Sequence, residues 1–301
     1  MQTCSVSSPA KVNLFLAVTG KRADGYHDLV SVAAQLELGD TLRIKPAVGE
    51  SDSLACSMPG VPVDSTNLVL RAAEAWRAAG GAAPAVRFVL EKRIPPQSGL
   101  GGGSSNAVAA LRGLERIATR PLGDDALRTI AAGLGSDCAM FLSDGPVIMR
   151  GRGERVERLP AAAAARLREG ELFICRPTVG VETAWAYGRL AKGAPDSYLA
   201  ADEAEARVAE WIAGGASDAL SFNSFDPVVF GKFVAYPVLS RRLADRHGLA
   251  LRLSGSGSAC FAWIRPEIDW AAIVADVQDA FGNDCLIERT RLANDTKPQR
   301  D

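Results

Sequence analysis

Between residues 86 and 118 the hydrophobic period changes from two to about 3.6 across a run of glycines. Val86, Phe88 and Leu90 alternate as a buried strand does, PPQSGLGGGSS follows at 95–105, and Ala107, Val108, Leu111, Leu114 and Ala118 then recur at helical spacing. A strand passing into a helix through Gly99, Gly101, Gly102 and Gly103, with Ser104 or Ser105 as the expected cap, commits the chain to mixed α and β structure. Such a turn presents backbone N–H groups, and the helix dipole adds partial positive charge, so its natural guest is a di- or triphosphate. A tightly packed or flexible turn is the alternative. Two familiar phosphate loops do not fit. No Lys stands between Arg93 and the helix, as a Walker A loop requires, and a dinucleotide fingerprint begun at Gly99 would need glycine where Ser104 stands.

Elsewhere the period also changes often. Val12, Leu14, Leu16 and Val18 alternate with Lys11, Asn13 and Phe15, which predicts a half-buried strand with Lys11 and Asn13 on one face, followed by the polar loop GKRADGYHDL. Leu29 to Leu38 and Asp40 to Ile44 read as two strands around a turn at Gly39-Asp40. Leu68 to Ala79 reads as a helix stopped by Gly80-Gly81, with further helices over 200–213 and 270–281 and strands over 172–175, 249–253 and 259–263. Strand runs in adjacent pairs favour an α+β fold over a regular βαβ array. At 301 residues the chain has room for two domains, and the alanines Ala161 to Ala165 mark a junction between 1–160 and 161–301. The tail RLANDTKPQRD is expected to fray.

Charge and cysteines narrow the function. Lys plus Arg at 34 balances Asp plus Glu at 35, which argues against a nucleic-acid partner. Six scattered cysteines with no CxxC or CxxH spacing argue against a zinc site or a disulfide framework and predict reduced thiols. With no signal-like N-terminus and no long apolar run, a soluble cytoplasmic protein with no membrane contact is expected.

Four segments in order, SPAKVNLFLAVTGKRADGYHDL, PPQSGLGGGSSNA, LGSDCAMF and RLSGSGSACF, together resemble the GHMP superfamily of small-molecule kinases. PAKVNLFL joined to GYHDL is similar to the branch whose acceptor is 4-diphosphocytidyl-2-C-methyl-D-erythritol, a cytidylyl polyol of the non-mevalonate isoprenoid route. The resemblance implies a ribosomal-protein-like N-terminal domain, an α/β C-terminal domain and an active site in the cleft between them. It implies that Asp137 accepts the proton of the acceptor hydroxyl and that Lys11 stabilises developing negative charge. Pro95, Pro96, Gln97, Ser98, Gly99, Leu100, Gly101, Gly102, Gly103, Ser104 and Ser105 would wrap the phosphates of ATP, with Asn67 and Asn106 near the nucleotide. Asn13, Tyr26, His27, Thr183 and Tyr187 would hold the substrate. Magnesium would arrive with ATP, no dedicated metal ligands being marked. Two departures stand out: Cys138-Ala139 follows Asp137 where relatives carry an apolar residue and Pro, which leaves an oxidisable thiol if Cys138 is exposed, and Gln97-Ser98 stands where some relatives have glycine. Mevalonate, homoserine or a sugar is the alternative acceptor, disfavoured by Tyr26-His27. A non-catalytic nucleotide-binding regulator is disfavoured by Lys11 and Asp137.

Overall fold

The computed structural model describes residues 3–47, 49–168, 170–215 and 220–293. In chain order these form β1 (Cys4–Lys21), β2 (His27–Pro46), β3 (Ser53–Cys56), α1 (Leu68–Ala78), β4 (Val86–Glu91), α2 (Gly102–Ile117) and α3 (Asp124–Leu134). A 3-10 turn at Ala139–Leu142 leads to β5 (Val147–Gly151), β6 (Arg155–Arg158), α4 (Ala161–Arg168), β7 (Glu171–Arg176), α5 (Thr183–Lys192) and α6 (Ala201–Ile212). The remainder is β8 (Phe222–Asn223), α7 (Asp226–Lys232), α8 (Ala235–His247), β9 (Arg252–Leu253), β10 (Cys260–Ile264), α9 (Trp270–Phe281) and β11 (Leu286–Arg291). They gather into two compact units. The first takes the described residues up to Ala10, Leu38–Pro96 and Gly101–Ser143; the second takes Lys11–Glu37, Gln97–Leu100 and those from Asp144 onward.

In the first unit β4 lies between the second half of β2, antiparallel from Thr41↔Glu91 to Pro46↔Val86, and β3, parallel. Helices α1 and α2 pack side by side, and fully buried Trp76 of α1 donates its indole N–H to Glu115 of α2. Gly39 is not a turn. β2 runs straight through it, and a β-carbon there would lie 2.8 Å from Pro9 Cα and Ser8 O, so the glycine lets β1 and β2 approach closely.

In the second unit β2 pairs antiparallel with β5 from Leu29↔Gly151 to Ala33↔Val147, and β5 with β6. β1 pairs parallel with β8 at Phe15↔Phe222 and Leu16↔Asn223. A separate antiparallel sheet runs β11-β7-β10-β9. From Ala10 to Val18 β1 is buried on both faces rather than half-buried, so Lys11 and Asn13 are interior polar residues. The alanine run forms α4, with Ala163 and Ala164 buried. Over 249–253 only Arg252–Leu253 pairs as a strand. Of the tail expected to fray, Leu292 is buried and Ala293 N–H donates to Gln35 O at 2.8 Å, while residues 294–301 lie outside the described residues.

Candidate active site

In the first unit the glycine run becomes the start of a helix. Gly101 takes φ +70° as the N-cap of α2 and no side chain caps it, so the helix begins at Gly102, before Ser104 and Ser105. Glycine makes the early start possible, since a side chain at that φ would be strained. The N–H groups of Gly102, Gly103 and Ser104 are first-turn donors with no acceptor within the helix, which suits an anion. Gly102 and Gly103 do different things. A β-carbon on Gly102 would come within 2.9 Å of Ile94 Cγ2 and Lys92 Nζ, whereas on Gly103 its nearest neighbour would be Leu68 Cδ1 at 3.7 Å.

The buried carboxylate of Asp40 holds this start in place. It accepts from Arg93 N–H (2.7 Å), Ile94 N–H (2.8 Å), Lys92 Nζ (2.5 Å) and Asn106 Nδ2 (2.8 Å). Asn106 Nδ2 also donates to Ser8 Oγ at 2.7 Å, and Ser8 donates to Ser105 Oγ at 2.9 Å. Asn106 and Ser105 are therefore buried anchors of α2. Asn67 caps α1, accepting from Val69 N–H at 2.9 Å and donating to Pro62 O at 2.6 Å. Asp137 is half-buried in the turn between α3 and the 3-10 segment, closed by Cys138 N–H donating to Gly135 O at 3.0 Å. The Cys138 thiol hydrogen-bonds with Ser104, which puts this turn beside the start of α2. Cys138 is fully buried, and burial pushes its thiol up to about 11, so the residue after Asp137 is an inert packing group and not the oxidisable thiol its exposure would have made it.

In the second unit Lys11 Nζ donates to Asn13 Oδ1, Asn13 Nδ2 to Ser31 Oγ (2.9 Å) and Ser31 Oγ to Phe15 O (2.6 Å). This relay from β2 fixes which way the Asn13 amide faces. Around it three stretches of backbone interlock: Lys11 N–H donates to Leu100 O (2.9 Å), Ala259 N–H to Ser98 O (2.8 Å) and Ser254 Oγ to Gly99 O (3.0 Å). Ser98 and Leu100 are buried, and a β-carbon on Gly99 would lie 2.0 Å from Ser254 O. Gln97, exposed at φ +53°, carries the strain that a glycine would avoid. Gly255 passes Lys11 so closely that a β-carbon would stand 3.2 Å from Nζ. Asn223 secures that turn, donating to Leu253 O (2.8 Å) and Gly255 O (2.9 Å). Thr183 Oγ1 lies 3.1 Å from Ser256 Oγ.

The aromatic candidates also gather in the second unit. The His27 and Tyr187 ring centroids are 4.9 Å apart, Tyr187 meets Phe225 edge-on at 4.8 Å, and His27 Nε2 is 3.1 Å from Tyr198 Oη. Burial, with Lys21 adding to it, lowers the His27 pKa and favours the neutral imidazole. Tyr26 is exposed, with the Arg152 guanidinium 4.7 Å from its ring centroid. Sequence reasoning missed Ser31, Asn223 and Tyr198. Only Ser31 carried a signal, a lone hydroxyl within the apolar run VSVAA. Among the described residues no group of three or more His, Cys, Asp or Glu side chains is placed to hold a metal, and no helix is long and apolar enough to cross a membrane.

This α+β fold, with a helix start that no side chain caps and a carboxylate turn beside it, is that of a class, the GHMP-type small-molecule kinases. The model of the GHMP kinases N terminal domain matches residues 67–145. A mevalonate kinase from Methanococcus jannaschii shares the fold with TM-score 0.74 over 97% of this chain and 99% of that one, at 13% identity. The sequence likeness is narrower. 4-Diphosphocytidyl-2-C-methyl-D-erythritol kinase of Caulobacter sp. (strain K31) is 37% identical over 95% of this chain and 97% of its own length. The enzyme of the same name from Synechococcus sp. (strain CC9311) is 35% identical over 93% and 92%. A crystal structure of 4-(cytidine 5'-diphospho)-2C-methyl-D-erythritol kinase matches with TM-score 0.72 and 29% identity, over 96% of this chain and all of that one. The chain belongs to the 4-diphosphocytidyl-2-C-methyl-D-erythritol kinase family.

Proposed function

We propose that this kinase transfers the γ-phosphoryl group of ATP to the 2-hydroxyl of 4-diphosphocytidyl-2-C-methyl-D-erythritol, in the non-mevalonate route to isoprenoids. The observation that carries the phosphoryl-transfer reading is the uncapped start of α2, with its N–H donors at Gly102, Gly103 and Ser104 and the Asp137 turn joined to it through Ser104 and Cys138. Phosphoryl transfer through a loose transition state asks the protein for positioning and charge stabilisation. In this reading Asp137 accepts the proton of the attacking hydroxyl, Lys11 stabilises the negative charge that develops, and the first turn of α2 binds phosphate oxygens. Ser98 and Leu100 are buried within the second unit. The donors at the helix start are N–H groups and hydroxyls, which fit phosphate rather than a metal cage; magnesium would arrive with ATP and supply charge neutralisation. Asn13 and Thr183 contact the polyol, and Tyr26, His27 and Tyr187 hold the cytosine by stacking and hydrogen bonds. Residues 1–160 thereby supply the nucleotide loop, Lys11 and Asp137, and residues 161–301 supply Thr183 and Tyr187. The reading places the enzyme in the cytoplasm, where its six cysteines stay reduced.

The test is ADP release with ATP, Mg²⁺ and a panel of acceptors, followed by phosphorus NMR of the product. Turnover confined to the cytidylyl polyol, with the new phosphate on the 2-oxygen, is expected. Faster turnover of mevalonate, homoserine or galactose overturns the acceptor assignment, and no ADP with any acceptor overturns the catalytic one.

A further inference from the structure

Tyr198 is held more firmly than a loop residue that merely fills space. Its own N–H donates to Pro195 O (2.9 Å), Ser197 N–H to Gly193 O (3.0 Å) and Leu199 N–H to Val18 O on β1 (3.2 Å). Ser197 Oγ donates to Leu190 O at the end of α5 (2.7 Å). The turn is thus fastened both to the helix that carries Thr183 and Tyr187 and to the strand that carries Lys11 and Asn13. What it presents is a phenol 3.1 Å from His27 Nε2, with the rings edge-on at 5.9 Å, while Tyr187 packs against the imidazole at 4.9 Å.

A phenol and a neutral imidazole can share one hydrogen in two ways, and they are unequal. The ring nitrogen lone pair of imidazole is a strong acceptor, whereas the phenol oxygen lone pair is partly delocalised into its ring, so O–H donating to N is favoured. Burial raises the Tyr198 pKa and keeps that proton on oxygen. If Nε2 accepts, the imidazole proton must sit on Nδ1, the tautomer that is the minor one for an unrestrained histidine. We infer that Tyr198 is a specificity-positioning residue that locks His27 as the Nδ1–H tautomer, so that the ring offers a donor to the pyrimidine.

The consequence is base selection. Cytosine has two neighbouring acceptors, O2 and N3, where uracil has O2 beside an N3–H donor. An Nδ1–H donor pairs with N3 of cytosine and opposes the N3–H of uracil. The other tautomer would offer a lone pair there and reverse the preference. The Tyr198 hydroxyl, one residue past Ser197, would then decide which nucleotide the kinase accepts.

This inference rests on His27 meeting the base, and the experiment separates the two claims. The chain has only two histidines, His27 and His247, so their ring nitrogens can be assigned in a ¹⁵N spectrum by His247→Gln alone. Wild type should show Nδ1 protonated at His27, and Tyr198→Phe should shift that ring toward the Nε2–H form. In kinetics, Tyr198→Phe should raise KM for the cytidylyl acceptor about 5- to 15-fold, the loss of one hydrogen bond, with KM for ATP unchanged. The preference for the cytidylyl acceptor over its uridylyl counterpart should fall by a similar factor. His27→Ala should raise the same KM. An unshifted tautomer in Tyr198→Phe, or a shifted tautomer with unchanged base preference, overturns the inference even where His27→Ala behaves as expected. An unchanged KM in His27→Ala overturns the base contact itself, and the inference with it.

Discussion

Gly99 and Gly103 stand four residues apart in one glycine-rich stretch, and the structure predicts opposite consequences for filling them. Gly99 has φ +77°, and its β-carbon would lie 2.0 Å from Ser254 O, a backbone atom. That carbonyl has little freedom. It accepts from Gly257 N–H at 3.0 Å, while the same residue's N–H donates to Ala259 O at 2.9 Å and the next carbonyl is held by Asn223. Gly99→Ala therefore brings left-handed backbone strain of about 1–2 kcal/mol and overpacking of about 1–3 kcal/mol. The sum, roughly 2–5 kcal/mol, should lower Tm by about 4–20 °C. Gly103 has ordinary helical φ, and a β-carbon there would make only an ordinary contact with Leu68 Cδ1 at 3.7 Å, so Gly103→Val should leave Tm within a few degrees. It should instead raise KM for ATP, because a side chain on the first turn of α2 obstructs the approach of phosphate. Differential scanning fluorimetry without nucleotide and ATP titrations of both variants make the comparison. A Gly99→Ala protein as stable as wild type would refute the packing argument, and an unchanged ATP KM in Gly103→Val would refute phosphate seating.

Two further outcomes follow from buried groups. Burial pushes Asp226 from 3.8 up to about 7, with Leu253 N–H and Arg252 opposing the rise, so the folded chain retains a proton that the unfolded chain gives up. That contribution to stability is fully present below about pH 4, is lost as pH rises through about 7, and is on the order of 4 kcal/mol. Asp226→Asn, which can still accept from Leu253, should match wild type in Tm at pH 5 and exceed it at pH 8; an equal difference at both pH values would contradict the assignment. Cys138, buried and raised to about 11, should resist iodoacetamide at pH 7.5 in the folded protein while half-exposed Cys4, Cys56 and Cys285 react, as peptide mass spectrometry can record.

What was legible in the sequence was set by local periodicity. The Val86-Phe88-Leu90 alternation is β4, the Leu68 helix ends at Ala78 before Gly80-Gly81, and α9 spans residues 270 to 281 as its apolar spacing implies. Where tertiary packing set the outcome, period misled. Lys11 and Asn13 occupy polar positions of an alternating pattern but are enclosed, because β1 is covered on both faces and the relay through Ser31 satisfies them inside. Gly39 looked like a turn because its reason for being glycine, the backbone at Pro9, lies 30 residues away in sequence. The serines after the glycine run looked like caps because nothing local announces that Gly101 will adopt a left-handed φ. The motifs placed the candidate residues, while the groups that orient them, Asp40, Ser31, Asn223 and Tyr198, sit at distances no spacing rule spans.

The central claim is that Asp137 acts on the acceptor hydroxyl and not on the nucleotide. Single-turnover phosphoryl transfer by Asp137→Asn, with ATP affinity measured on the same preparation, tests it most directly. The rate of the chemical step should fall by at least about 100-fold while ATP binds as in wild type. Near-normal transfer by a folded Asp137→Asn protein, or a loss traced entirely to ATP binding, would contradict the mechanism.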